Sequence, residues 1–544
     1  MSASLVASGV TVVRGPVLVL QDVSLTVAPG TRVGVVGPNG VGKSTLLEVL
    51  AGGLAPDAGT VARSPVTATV GLLPQEPDRR PGETLTAFLA RRTGVAAAQA
   101  ELDAATQALT DGTAGPDYGE ALERWLDLGG ADLEVRAEQV LADLGLPLDL
   151  LDAETATLSG GQAARASLAS VLLSQFDVFL LDEPTNDLDF AGLERLERFV
   201  LGLQAGLVVV SHDREFLART VNAVLDVDGP LRTARLFAGG WEAYLAERAL
   251  ARQHARDAYE QYEDKRSGLV QQAQRQREQS VRGALRAKRK VPDNDRSVRA
   301  HKIEAATHAA GRVKTIESQL DRLDEVAEPR KEWQLQLEIA AAPRSGEVVA
   351  QLRDAVVDHG AAFTFGPVTL QVARGDRVAV VGPNGGGKTT LLQVLLGRLA
   401  LTSGTRTWGS SVRLGEVDQA RTRFTGPRTV VEVAEEATGW AASECRTLLA
   451  KFGLKADHTA RPAASLSPGE RTRASLALLQ ATGVNLLVLD EPTNHLDVPA
   501  IEQLEQALAS YEGTLLLVTH DRRLLQAVRT TRTLHVEGGR VHER

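Results

Sequence analysis

The sequence has few of the features that mark secreted or membrane proteins. Its 544 residues include a single cysteine, Cys445, which excludes an internal disulfide and indicates a reducing compartment. No apolar run approaches the roughly 18 to 20 residues that a helix needs to cross a bilayer. The N-terminal residues 2–6 lack the charged start and long apolar stretch of a signal peptide. We therefore expect a cytoplasmic protein without a membrane domain, long enough for two or three domains.

Two glycine-rich loops with the phosphate-binding pattern G-x-x-x-x-G-K-[ST] are present, one in each half of the chain. Each follows a short apolar run and precedes a helical pattern, which is the strand, loop and helix context that this motif requires. In such a loop the backbone NH groups, the helix N-terminus and the lysine all face phosphate oxygens. The residues predicted to hold ATP are Gly37, Asn39, Gly40, Gly42, Lys43, Ser44 and Thr45 in the first loop, and Gly382, Asn384, Gly385, Gly387, Lys388, Thr389 and Thr390 in the second.

Each half also contains an apolar run that ends in two acids. Runs that are apolar on both faces are typical of strands inside a parallel sheet, and charges at the carboxyl end of such a strand indicate a site. The first acid of each pair can hold Mg²⁺ through water, while the second can orient or deprotonate an attacking water. The predicted metal ligands are Ser44 and Asp182 in one half and Thr389 and Asp490 in the other. The predicted catalytic acids are Glu183 and Glu491.

A further motif, Leu158-Ser-Gly-Gly-Gln162, lies 24 residues before Asp182, and Leu466-Ser-Pro-Gly-Glu470 lies 24 residues before Asp490. The repeated spacing argues against a chance match. The motif resembles the signature sequence of ATP-binding cassette (ABC) proteins, in which the signature of one cassette caps the ATP held by the other. The resemblance implies nucleotide contacts from Ser159, Gly160, Gly161 and Gln162, and from Ser467, Gly469 and Glu470.

Two more pairs of residues resemble ABC motifs. Gln75 and Gln419 are similar to the Q-loop glutamine that senses Mg²⁺ and the γ-phosphate. His212 and His520, each 30 residues after the first acid of its half, are similar to the switch histidine that contacts that phosphate. The resemblance therefore implies two complete sets of ATPase residues.

The second signature departs from the family pattern at Pro468 and Glu470. Proline has no backbone NH to donate, so we expect the site built on Lys43 to be the weaker one. For the residue that stacks on adenine, the sequence leaves open Arg14 in the first half and Phe363 or Phe365 in the second.

The segment between the halves is strongly basic. From residue 265 to residue 302 there are twelve basic residues and three acids, so this segment has a charge of +9 while the remainder of the chain has −18. Such a segment suits a polyanionic partner, although a solvated helix surface is the alternative. Aromatic residues are absent from it, so phosphate contact is expected rather than base stacking. The residues predicted to contact this polyanion are Arg282, Arg286, Lys288, Arg289, Lys290, Arg296, Arg299 and Lys302.

The same segment has a helical pattern. Apolar residues recur at spacings of three and four from Ala306 to Ala327, the seam of a coiled coil, and a weaker stripe runs from Tyr259 to Ala273. The residues at 291–295, which include Pro292, break the helix between them. The pattern predicts two antiparallel helices of about 40 residues, each roughly 60 Å long.

The first half is longer than the second between the Q-loop and the signature. Gln75 and Leu158 are 83 residues apart, whereas Gln419 and Leu466 are 47 apart. We place the 36 additional residues near 96–130, either as a short helical hairpin or as a surface insertion. The predicted fold is α/β, with two tandem P-loop ABC domains at 1–245 and 346–544 joined by an α-helical hairpin linker at 246–345.

Taken together, the tandem cassettes, the insertion, the charged linker and the motifs at 186–189 and 494–497 resemble the ABC-F family. That resemblance implies a ribosome-associated ATPase whose linker extends toward the P-site tRNA, with ribosomal RNA and tRNA as partners, and a monomer whose cassettes pair within the chain. The linker tip at 288–295 is most similar to actinobacterial members that confer antibiotic resistance by ribosome protection. The alternatives are a housekeeping translation factor of the same family and the ATPase subunit of a separate membrane transporter.

Overall fold

The computed structural model describes residues 3–74, 80–186, 188–229, 231–289, 318, 345–358, 363–417, 422–494 and 496–543. It divides into two compact units. One unit comprises Met1–Ala243 and Gln334–Arg544 and contains both cassettes, and the other comprises Tyr244–Trp333. Within the described ranges, no helix combines the length and the apolar character needed to cross a membrane.

The first cassette contains nine strands and eight α-helices among its described residues. The strands are β1 (Ser4–Arg14), β2 (Val17–Val27), β3 (Arg32–Val36), β4 (Ala58–Ser64), β5 (Val70–Leu73), β6 (Val178–Asp182), β7 (Gly206–Val210), β8 (Ala223–Val227) and β9 (Ala234–Ala238). The helices are α1 (Lys43–Ala51), α2 (Leu85–Arg92), α3 (Val95–Asp111), α4 (Tyr118–Asp127), α5 (Leu133–Asp143), α6 (Gly160–Leu173), α7 (Phe190–Gly202) and α8 (Arg214–Thr220). Helix α9 (Gly240–Arg289) follows this cassette.

The second cassette repeats this order. Its strands are β10 (Val348–Asp358), β11 (Thr364–Ala373), β12 (Arg377–Val381), β13 (Ser403–Trp408), β14 (Leu414–Val417), β15 (Leu486–Asp490), β16 (Thr514–Val518), β17 (Arg532–Glu537) and β18 (Arg540–Glu543). Its helices are α10 (Lys388–Leu396), α11 (Val430–Thr438), α12 (Ala442–Lys451), α13 (Ala456–Thr459), α14 (Pro468–Thr482), α15 (Val498–Ser510) and α16 (Arg522–Val528). Short 3₁₀ turns lie at Gly130–Asp132, Leu148–Asp152, Thr155–Thr157, Thr422–Phe424 and Ala463–Ser465.

Each cassette has a six-stranded sheet and a three-stranded antiparallel sheet. The large sheets have the matching orders β5-β6-β7-β3-β8-β9 and β14-β15-β16-β12-β17-β18. Their first five strands run parallel, and the last strand is antiparallel. All five residues of β6 and of β15 are buried, as expected for strands covered on both faces.

This topology brings the predicted motifs to one edge of each large sheet. In the first cassette the phosphate-binding loop follows β3, the acid pair lies at the end of β6, and the switch histidine follows β7. In the second cassette the corresponding strands are β12, β15 and β16. Because these strands are parallel, their carboxyl ends lie side by side. Residues far apart in sequence therefore share one site.

Two predicted features lie partly within the described ranges. The stretch near 96–130 contains α3 and α4, which contact each other through the Arg124–Glu101 ion pair at 2.8 Å. The 50-residue α9 includes the backbone of Arg282, Arg286, Lys288 and Arg289. The remaining predicted features of the linker lie outside the described residues. They are the break at 291–295, the apolar residues of the seam from Ala306 to Ala327, and Lys290, Arg296, Arg299 and Lys302. The domain bounds at 246–345 therefore stay a prediction.

Candidate nucleotide sites between the cassettes

The two phosphate-binding loops have the same internal geometry. Lys43 Nζ donates to the carbonyl oxygens of Gly37 at 2.9 Å and Pro38 at 3.2 Å, and Lys388 Nζ donates to those of Gly382 at 2.8 Å and Pro383 at 3.2 Å. Both lysines are more than nine-tenths buried, and burial lowers the pKa of each. Each ammonium group is thus held inside its loop by neutral carbonyl partners, which suits it to an incoming anion.

Glycine is required where each loop enters its helix. Gly42 has a φ of 111° and Gly387 a φ of 107°, a region that side-chain-bearing residues rarely adopt. Neither glycine supplies a side-chain cap, and the first turns of α1 and α10 contain no acid. The NH groups of both helix N-termini are therefore directed at the space where the sequence predicts phosphates.

The predicted metal ligands of each cassette lie together. Thr389 Oγ1 is 3.5 Å from Asp490 Oδ2, and burial raises the pKa of Asp182 while the neighbouring Ser44 hydroxyl opposes that shift. No group of three or more His, Cys, Asp or Glu side chains that could hold a metal occurs in the ranges described. One hydroxyl and one carboxylate per site fit Mg²⁺, which commonly completes its shell with water and phosphate oxygens. Gln75 and Gln419, also predicted for this role, are outside the described residues.

The second acid of each pair is buried and backbone-strained. Glu183 and Glu491 have φ values of 50° and 46°, and their NH groups donate to the carbonyls of Val210 and Val518 at 2.9 Å. Non-glycine residues held at positive φ often occur at functional sites. Burial raises the pKa of Glu183 to about 7, against the opposing effect of Lys43. A carboxyl group with this pKa suits general-base chemistry near neutral pH.

The switch histidines contact these glutamates. His212 Nε2 lies 3.2 Å from Glu183 Oε1, and His520 Nε2 lies 3.5 Å from Glu491 Oε1. Burial, reinforced by Lys388, lowers the pKa of His520 to about 3. His520 is therefore a neutral imidazole at physiological pH and can donate one hydrogen bond to a phosphate oxygen without adding charge.

The two cassettes meet at the phosphate-binding loops. A Cβ atom added to Gly161 would lie 3.3 Å from Asn384 Cβ, so the first signature lies against the second loop. The NH of Asn384 donates to Asp189 Oδ2 at 3.0 Å, and the NH of Asn39 approaches Asp497 Oδ2 at 3.4 Å.

Sequence reasoning identified the motifs that contain these aspartates but assigned them no contact. Their repeated position seven residues after Asp182 and Asp490 was the available signal.

The structure accommodates Pro468 and Glu470, the two residues at which the second signature departs from the family pattern. Glu470 accepts from the NH of Ser467 at 2.8 Å, and its other oxygen lies 3.3 Å from His458 Nε2 and 3.4 Å from Arg461. Pro468 occupies the first turn of α14, a position that proline tolerates because that NH has no partner within the helix. Sequence reasoning missed His458 and Arg461, and no motif in the chain marks them. The guanidinium of Arg461 offsets the extra negative charge of Glu470.

A cavity of about 690 Å³ is lined by residues of both cassettes. Its lining includes Glu183, His212, Lys388, Glu491, His520 and Phe363. A Cβ atom on Gly387 would lie 3.1 Å from Phe365 Cδ2 and 3.2 Å from Phe363 Cζ, whereas the neighbours of Gly42 are the aliphatic Val19 and Leu20. Phe365 is fully buried, and Arg14 pairs with Glu48 at 2.7 Å. Phe363 and Phe365 both lie beside the second phosphate-binding loop, and of the adenine-stacking candidates Phe363 is the one that lines the cavity.

Comparison with known proteins agrees with this geometry. The family model described as "ABC transporter" matches residues 20–186 and 365–494. The chain is 36% identical over 541 residues to "Tylosin resistance ATP-binding protein TlrC" of Streptomyces fradiae. This alignment covers 96% of this chain and 95% of that protein. It is 32% identical over 531 residues to "Energy-dependent translational throttle protein EttA" of Mycobacterium tuberculosis (strain ATCC 25618 / H37Rv), covering 94% of this chain and 88% of that protein.

Among solved structures, "RNase-L Inhibitor" matches with a TM-score of 0.56 and 21% identity, covering 99% of this chain and 90% of that chain. This likeness concerns the fold. The predicted α/β fold with two tandem cassettes is confirmed.

Proposed function

Because this chain belongs to the ABC-F family of paired ATP-binding cassettes, we propose that it is a cytoplasmic, ribosome-binding ATPase that confers antibiotic resistance by ribosome protection. Its cassettes bind and hydrolyse ATP. The resistance role is supported by the 36% identity to a tylosin-resistance protein along almost the whole of both chains. The +9 linker segment supports a polyanionic partner, which we take to be ribosomal RNA and the P-site tRNA.

The observation that supports the ATP-driven part of this proposal is the reciprocal contact at the two phosphate-binding loops. Asn39 meets Asp497 and Asn384 meets Asp189, so each loop contacts the opposite cassette. ATP bound at these loops would be enclosed by both cassettes, and its binding would favour their closure. Closure would fix the position of the linker on the ribosome, and a shift of the tRNA or catalytic centre would release the bound drug.

Residues of this chain carry the steps of hydrolysis in this scheme. Lys43 and Lys388 hold the outer phosphates, and Ser44 with Asp182, and Thr389 with Asp490, would hold Mg²⁺. Magnesium would supply charge neutralisation of the β- and γ-phosphate oxygens. Glu183 and Glu491 accept a proton from the attacking water, and His212 and His520 contact the γ-phosphate beside them. Product formation then reopens the cassettes and releases the protein from the ribosome.

A housekeeping translation factor is the second candidate function. It is favoured by the 32% identity to a relative named as a translational throttle protein. Both candidates use the same ATPase residues, so the linker tip at 288–295 is where we expect them to differ.

The test is resistance profiling of a drug-susceptible bacterium that expresses either the full chain or a variant lacking residues 288–295. We expect the full chain to raise the inhibitory concentration of at least one ribosome-targeting drug in a panel that includes tylosin. The variant should lose this effect while it retains its ATPase activity. A full chain that leaves every drug response unchanged but alters the rate of protein synthesis would contradict the resistance role and support the housekeeping one.

A further inference from the structure

A pair of ion pairs crosses the cassette interface behind the nucleotide sites. Arg214 forms a two-pronged contact with Glu505 of the opposite cassette, one of its hydrogen bonds measuring 3.1 Å. Arg522 donates to Glu197 of the opposite cassette at 2.8 Å. Neither pair belongs to the sets of residues that the family motifs identify.

The two pairs occupy equivalent positions. Each arginine lies two residues after a switch histidine, at the start of α8 or α16. Each glutamate lies eight residues after the aspartate that begins α15 or α7. The repetition in both halves argues against an accidental surface ion pair.

Helix α15 of the second cassette therefore contacts two separate parts of the nucleotide site of the first cassette. At the N-terminus of α15, Asp497 contacts the first phosphate-binding loop through Asn39. About 12 Å farther along the same helix, Glu505 contacts Arg214 in the segment that follows His212. Helix α7 makes the matching contacts to Asn384 and Arg522.

Burial makes these ion pairs depend on closure. The side chain of Arg214 is 8% exposed and that of Glu505 is 14% exposed. Buried charges are tolerated when they are paired, and removing one partner leaves an uncompensated charge. When the cassettes separate, water can solvate both groups, so the pair is a feature of the closed arrangement.

The arginines also adjoin the reacting groups. Arg214 is separated from His212 only by Asp213, whose carboxylate caps α8, and His212 Nε2 lies 3.2 Å from Glu183. We propose that Arg214 and Arg522 are positioning residues that hold each switch histidine against its glutamate when the opposite cassette is docked. These two ion pairs thereby couple ATP hydrolysis to cassette closure, and neither of them involves the nucleotide itself.

The two ion pairs across the interface have different surroundings. Glu197 is shared between Arg522 and Arg219, which lies 3.2 Å away, and the guanidinium of Arg522 also lies 5.9 Å from the ring centre of Phe190. The position equivalent to Arg219 in the second cassette is Ala527. We therefore expect loss of Arg214 to have the larger effect.

The test uses the full chain with Glu491→Gln, so that the measured turnover comes from the site containing Glu183. In this background, Arg214→Glu should lower kcat about tenfold while the KM for ATP changes by less than about threefold. Adding Glu505→Arg should restore kcat to within about threefold of the background. Glu502→Gln is the matched control, because this glutamate lies on the same helix, is 45% exposed and is 4.0 Å from Arg214.

A second pair of variants covers the case in which charge reversal prevents folding. Arg214→Gln combined with Glu505→Gln removes both charges and leaves no buried ion without a partner. The combined variant should keep its thermal unfolding midpoint and ATP affinity but lose kcat about tenfold. If it folds, binds ATP and turns over at the background rate, the ion pair is only structural and the proposal is wrong.

Discussion

Replacing both Glu183 and Glu491 with glutamine is expected to lower kcat for ATP hydrolysis by about 10²- to 10⁴-fold while ATP binding is retained. Glutamine has nearly the same size as glutamate but cannot accept a proton from water. Both side chains are buried, and each lies against a switch histidine. Steady-state phosphate release and the Kd for ATP are the two quantities to measure.

The control for this prediction is Glu537→Gln, an exposed glutamate at the end of β17. It should leave both quantities unchanged. A double variant that still hydrolyses ATP at more than about one-tenth of the normal rate would show that another group acts as the base.

Replacing Lys43 and Lys388 with alanine is expected to weaken ATP binding about 10- to 150-fold, the range expected from losing a hydrogen bond to a charged group. Each lysine is buried, and its Nζ is held by two backbone carbonyls of its own loop. The ammonium group is thus already ordered before a phosphate arrives, and little entropy is lost when it binds. Titration calorimetry with ATP measures the effect directly.

Lys451→Ala is the control, because Lys451 is exposed at the end of α12. It should bind ATP as the unaltered chain does. An unchanged Kd in the Lys43 and Lys388 variant would place the phosphates elsewhere.

The local parts of the sites are predictable from sequence because each depends on neighbours in the chain. A loop such as Gly37–Thr45 needs glycines at positive φ and a following helix, and these leave a short, regular pattern. The acid pairs end strands that are apolar on both faces, so sequence alone places Asp182 and Asp490 at a sheet edge. The repeat of every motif in the second half strengthens each assignment.

The contacts between cassettes are not predictable in the same way. Asp189 and Asn384 are 195 residues apart, and Arg214 and Glu505 are 291 apart. Their pairing depends on how two folded surfaces dock, and a single sequence carries no periodic signal for that. His458 beside Glu470 is a shorter-range example, because the contact requires α13 to pack near the start of α14.

The most direct test of the proposed function is sedimentation of ribosomes with the Glu183→Gln, Glu491→Gln double variant in the presence of ATP. Because this variant should bind ATP and close but not hydrolyse, we predict that it sediments with ribosomes and that omission of ATP abolishes the association. A double variant that binds ATP but remains entirely in the free-protein fraction would contradict the ribosome-binding account.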